Sequence, residues 1–110
     1  MTAALASFRA LSSLAFGSIS GTYANLGTAL TRPARAFKIT NNTEGDIIYS
    51  TNGGTTDHDF LPAGSFVLWD VQSNINPQFD DKFVFPIGAQ FAVRQVTAPV
   101  SGAVYLTVLQ

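Results

Sequence analysis

The chain has 110 residues, 46% hydrophobic and only 12% charged, with six Lys plus Arg against seven Asp plus Glu and a formal net charge of −1. That is enough chain for one domain, with no basic excess to attract nucleic acid or an anionic membrane; the absence of cysteine excludes disulfides, thiolate metal sites and thiol nucleophiles. An ordinary soluble domain is about a quarter charged, and a small one leaves much of its surface outside, so the apolar excess predicts a homo-oligomer or a subunit covered by a larger assembly.

The run from Ala3 to Phe16 lacks a basic leading region and is interrupted by Arg9, which argues against a secretory leader. No uninterrupted apolar run approaches the length that spans a bilayer. Within residues 1–20, Leu5, Phe8, Leu11 and Ala15 recur at helical spacing, while Phe8, Ala10, Ser12, Leu14, Phe16 and Ser18 alternate at period two. Serine and glycine after Ser12 weaken a helix, which favours a strand from about Leu14 to Ser20 behind an extended arm over residues 1–13. An ordered, nearly uncharged arm needs something to lie against, and a neighbouring subunit is one candidate.

Gly21 to Pro33 reads as a connection anchored by Tyr23 and Leu26. The clearest alternation follows: Phe37 and Ile39 on one face, Lys38 and Thr40 on the other. A turn at 41–46 returns the chain as a strand over Ile47–Ser50, and the Asn52-Gly53 pair marks the next turn. Pro62 and Gly64 form a corner feeding a strand in which Phe66, Leu68 and Asp70 oppose Val67, Trp69 and Val71. Being apolar on both faces, this strand is expected inside a two-layer structure. Residues 72–82 form the longest polar connection. Pro86 and Gly88 repeat the corner between strands near Phe83–Phe85 and Gln90–Thr97, and a turn at 99–102 launches the last strand, Ala103–Leu109. Seven or eight short strands separated by turn signals predict an all-β chain, an antiparallel β-sandwich of jelly-roll type with an extended N-terminal arm (1–13) and one domain (14–110).

Signals for chemistry are few. The single histidine, His58, lies between Asp57 and Asp59, but neighbours on an extended chain point to opposite sides, so it cannot share a pocket with both; hydrogen bonding in a loop or interface suits it better than catalysis. Asp57, Asp59, Asp70, Asp80 and Asp81 lack the spacing of a calcium loop and read as solvated turn carboxylates. No nucleophile elbow or phosphate-binding glycine motif is present. Tyr23, Tyr49, Trp69 and Tyr105 could build a sugar platform, although the alternation of Trp69 with Val67 and Val71 favours core packing. Asn41-Asn42-Thr43 fits the glycosylation sequon.

The segments Ile19-Ser20-Gly21-Thr22-Tyr23 with Leu26-Gly27, Lys38-Ile39-Thr40-Asn41, Asp57-His58-Asp59, Pro62-Ala63-Gly64-Ser65-Phe66 and Asp70-Val71 together resemble the small structural proteins of tailed-bacteriophage virions. Within that group the chain is most similar to jelly-roll cement, or stapling, proteins of the capsid exterior. The resemblance covers most of the chain and rests on turn and strand signatures. It implies a protein without catalysis, cofactor or small-molecule substrate that binds the major capsid protein or other virion subunits. Contacts are expected at Phe8, Leu11 and Leu14 of the arm and at Tyr105, Thr107 and Leu109 of the last strand. A ring-forming adaptor in the neck or tail, and a carbohydrate- or calcium-dependent binding module, are the alternative expectations.

Overall fold

A computed structural model of the chain describes residues 7–71 and 84–110. Among the described residues eight strands are present: β1 (Ser12–Ala15), β2 (Ala24–Asn25), β3 (Ala36–Thr43), β4 (Ile47–Ser50), β5 (Asp59–Leu61), β6 (Phe66–Asp70), β7 (Ala92–Gln95) and β8 (Gly102–Leu109), with one 3₁₀ turn at Phe16–Ser18. They form two four-stranded antiparallel sheets, β1-β8-β3-β6 and β2-β7-β4-β5. The protein is therefore an all-β sandwich. Pairing is nested: β1 with β8, β2 with β7, β3 with β6 and β4 with β5.

Alternation along each strand builds the core. Phe37 and Ile39 of β3 and Val104, Leu106 and Val108 of β8 meet Ile47 and Tyr49 of β4, Leu61 of β5 and Val93 of β7, all buried. Phe37 is the central side chain, its ring 4.7 Å from that of Phe91, 4.8 Å from Phe85 and 6.3 Å from Tyr49. Tilted and edge-on contacts of this kind are favourable for aromatic quadrupoles.

The two Pro-X-Gly corners share one geometry. The Ser65 N–H donates to the Pro62 carbonyl at 3.2 Å and the Ala89 N–H to the Pro86 carbonyl at 3.1 Å. Gly64 and Gly88 take the third position at φ 71° and 91°, which makes both type II turns. The strand expected near Phe83–Phe85 is reduced to a single bridge between Ala34 and Phe85; Phe83 and the polar connection over 72–82 lie outside the described residues.

Three local expectations are corrected. The strand expected over 14–20 is β1, which ends at Ala15 where the chain enters the 3₁₀ turn. The connection after Gly21 holds the short strand β2; Leu26 is buried as expected, with Leu30 and Ala34, whereas Tyr23 stays only partly buried. β6 is not enclosed: it closes one edge of its sheet, so Phe66 and Leu68 face outward and Trp69 is 47% exposed.

Asn41, fully buried, holds the hairpin to the first corner. Its Nδ2 donates to the carbonyls of Gly45 (2.8 Å), Leu61 (3.2 Å) and Pro62 (3.3 Å), while Oδ1 accepts from the N–H (3.2 Å) and hydroxyl (2.7 Å) of Thr43. That engagement closes the sequon to sugar attachment in the folded chain. Asn41→Ala removes these hydrogen bonds from a fully buried position, and the expected loss is about 2 kcal/mol, read as a fall in Tm of roughly 10 °C.

Glu44, in the β3–β4 turn, grips the turn before β8: its carboxylate accepts from the Ser101 hydroxyl (2.5 Å), the Ser101 N–H (2.7 Å) and the Val100 N–H. The Ser101 hydroxyl, then the Val100 N–H, hold the carboxyl down from 4.5 to about 2. A folded-state value below the unfolded one means that the stabilisation is complete above pH 4.5 and is lost as pH falls through about 2. The urea midpoints of the wild type and Glu44→Gln are therefore expected to differ at neutral pH and to converge across that window.

Candidate functional site: the outer face of the β1-β8-β3-β6 sheet

Register places one set of side chains on the outside of this sheet. Across its rows, Thr40 lies between Phe66 and Tyr105, Lys38 between Leu68 and Thr107, and Ala36 between Asp70 and Leu109. β1 adds Ser13 beside Tyr105 and Ala15 beside Ala103. Residues preceding β1 continue along β8: the Ser7 N–H and Gln110 carbonyl (2.9 Å), the Gln110 N–H and Ser7 carbonyl (2.8 Å), and the Arg9 N–H and Val108 carbonyl (2.9 Å) are paired. Phe8 bridges Leu109. This bridge is one residue out of step with the β1–β8 register, so a bulge separates the two. Residues 7–13 of the expected arm thus lie against the chain's own last strand, and residues 1–6 lie outside the described residues.

Phe8, Leu11, Phe66 and Leu68 are between 59% and 72% exposed, and Tyr105, Thr107 and Leu109 are half-buried beside them. Lys38 and Asp70 are the charges in these rows, and the Lys38 ammonium lies 5.5 Å from the centre of the Phe66 ring. A hollow of about 450 Å³ lies among Phe8, Lys38, Leu68, Asp70, Thr107 and Leu109. The other outer face differs. There the rows place Phe60, Ile48 and Arg94 side by side, and Phe60 is its one exposed aromatic among the described residues.

Five of the six contact residues expected from the sequence therefore gather on one surface: Phe8, Leu11, Tyr105, Thr107 and Leu109. Leu14 is set apart; it pairs with Val104, turns inward and packs against the core. Sequence reasoning missed Phe66 and Leu68, which an apolar strand pattern assigned to the interior. The signal was Asp70, two and four residues on along the same face, because a carboxylate in the row is better placed at a solvated edge.

The acidic residues disperse. Asp57 pairs with Arg94 (2.9 Å) and accepts from the Tyr23 hydroxyl, and the Arg94 hydrogen bond, then that from Tyr23, lowers its pKa. Asp59 turns to the Tyr49 hydroxyl at 3.3 Å. His58 Nδ1 accepts from the Thr51 N–H at 2.9 Å. Among the described residues no three His, Asp or Glu side chains come together to hold a metal ion; Asp80 and Asp81 lie outside them. No helix among the described residues is long and apolar enough to cross a membrane. Compared with known protein families, curated proteins and solved structures, the chain matches none.

Proposed function

We propose that the chain is a structural protein of a tailed-phage virion that attaches to the capsid exterior and bridges capsid subunits, without catalysis. The observation that carries this reading is the asymmetry of the two outer faces: four large apolar side chains, each more than half exposed, share the β1-β8-β3-β6 face, against Val96 at 51% and Phe60 at 47% on the other. Clustered apolar surface of this kind marks an interaction site, and the hollow beside Leu68 suits one anchoring side chain of a partner. Sparse charge supports a permanent interface, whose centre is depleted of ionised groups.

The nested pairing of β1 to β8 supports a jelly roll, the arrangement reached when one long antiparallel hairpin is rolled into two sheets. A protein that binds assembled subunits and not free ones stabilises the assembly by mass action, by about 2.7 kcal/mol per site at a hundred times its Kd. Pelleting with assembled heads of the source virus and with its unassembled capsid protein tests the reading. Retention on heads alone is expected; no retention on either contradicts it, and recovery as a closed ring of fixed copy number in the neck or tail replaces it with an adaptor.

A further inference from the structure

We propose that a cleft between the two sheets, on the opposite side of β6 from the docking face, binds an uncharged sugar ring. The cleft measures about 390 Å³ and is lined by Phe37, Tyr49, Thr51, His58, Asp59, Trp69, Val71 and Phe85. That volume is at the lower end of small-molecule sites, and the mixture of aromatic walls with a few polar groups is their usual make-up.

Three features favour a sugar. First, the Trp69 indole N–H donates to the Tyr49 hydroxyl at 2.8 Å, which fixes the half-exposed ring and offers its face for packing against the C–H groups of a pyranose. Second, hydroxyl-binding groups stand at the rim. Asp59 Oδ1 accepts from the Phe60 N–H at 2.8 Å, and Oδ2 lies 3.3 Å from the Tyr49 hydroxyl, leaving lone pairs of this exposed carboxylate for a ligand hydroxyl. The Thr51 N–H donates to His58 Nδ1, so the neutral ring carries its proton on Nε2 and is a donor. Third, no lysine or arginine lines the cleft among the described residues, and Asp59 repels anions, so uncharged sugars are preferred to acidic ones. A second hollow of about 590 Å³ shares Thr51, His58 and Phe85 with the first, giving space for a further sugar unit.

Trp69 is the only tryptophan in the chain, so its fluorescence reports on the cleft directly. The full chain is titrated with glucose, galactose, mannose and N-acetylglucosamine, and with glucuronic acid as the charged comparison. At least one neutral sugar is expected to give a saturable change in emission, with affinity for glucuronic acid at least tenfold weaker. Asp59→Asn, and independently His58→Ala, are expected to weaken the response at least tenfold with the far-UV spectrum unchanged. No saturable change with any of the neutral sugars overturns the proposal, as does a response that both variants retain or that glucuronic acid matches. The docking face plays no part in this titration, so the two proposals succeed or fail separately.

Discussion

Leu11→Glu combined with Leu68→Glu is expected to weaken attachment to assembled heads by at least about a hundredfold, or ~3 kcal/mol, while leaving Tm nearly unchanged. Both side chains are mostly exposed in the isolated chain, so a carboxylate there remains hydrated and costs the fold within about 0.5 kcal/mol. In an assembled interface the same carboxylate loses its water without gaining a partner, and an uncompensated buried charge costs several kcal/mol. Phe60→Glu, on the opposite outer face, is the matched control. It changes exposed apolar surface of the same kind, and its attachment is expected to equal that of the wild type. Equal loss in both variants would point to a general effect of charge.

Phe37→Ala is expected to be the most damaging single change to the fold itself. The ring, on β3 of one sheet, is buried and touches Tyr49 of the other sheet together with Phe91, next to β7, and Phe85, so truncation removes contact across the sandwich and leaves a cavity that neighbouring backbone cannot fill. Such changes cost about 3 to 5 kcal/mol, against a total of about 5 to 15 for a domain of this size. The measurement is urea unfolding, in which Phe37→Leu serves as comparison with a loss of about 1.5 kcal/mol. A small effect of Phe37→Ala would mean that the two sheets are held together mainly elsewhere.

Strand identity was legible where alternation was strict. Phe37 to Thr40 declares its buried and outer faces in the sequence itself; Ile47 to Ser50 and Ala103 to Leu109 were legible as strands from the turns that bound them, without their faces, and the two Pro-X-Gly corners declare their turns. What alternation cannot state is where a strand sits in its sheet. Phe66-Val67-Leu68-Trp69 reads identically for an enclosed strand and for an edge strand whose outer apolar face awaits a partner. Its edge position depends on pairing, among the described residues, with β3 alone, a contact between residues some thirty positions apart. For the same reason Trp69 looked like a core residue and stands instead at a cleft mouth. Asn41 was visible as a sequon and not as a keystone, because its partners at Leu61 and Pro62 come from the next hairpin. The apolar outer face was partly legible: Tyr105, Thr107 and Leu109 share a strand, and Phe8 and Leu11 join them because the first described residues pair with β8. Leu14 fell to the inner side by the parity of that pairing.

Covalent footprinting of side chains, on the free chain and on the chain within intact particles, probes this arrangement at the level of single residues. The account predicts that Phe8, Leu11, Phe66, Leu68 and Tyr105 become protected in the particle while Phe60 remains as reactive as in solution. Unchanged labelling of those five residues, with protection at Phe60, would contradict it.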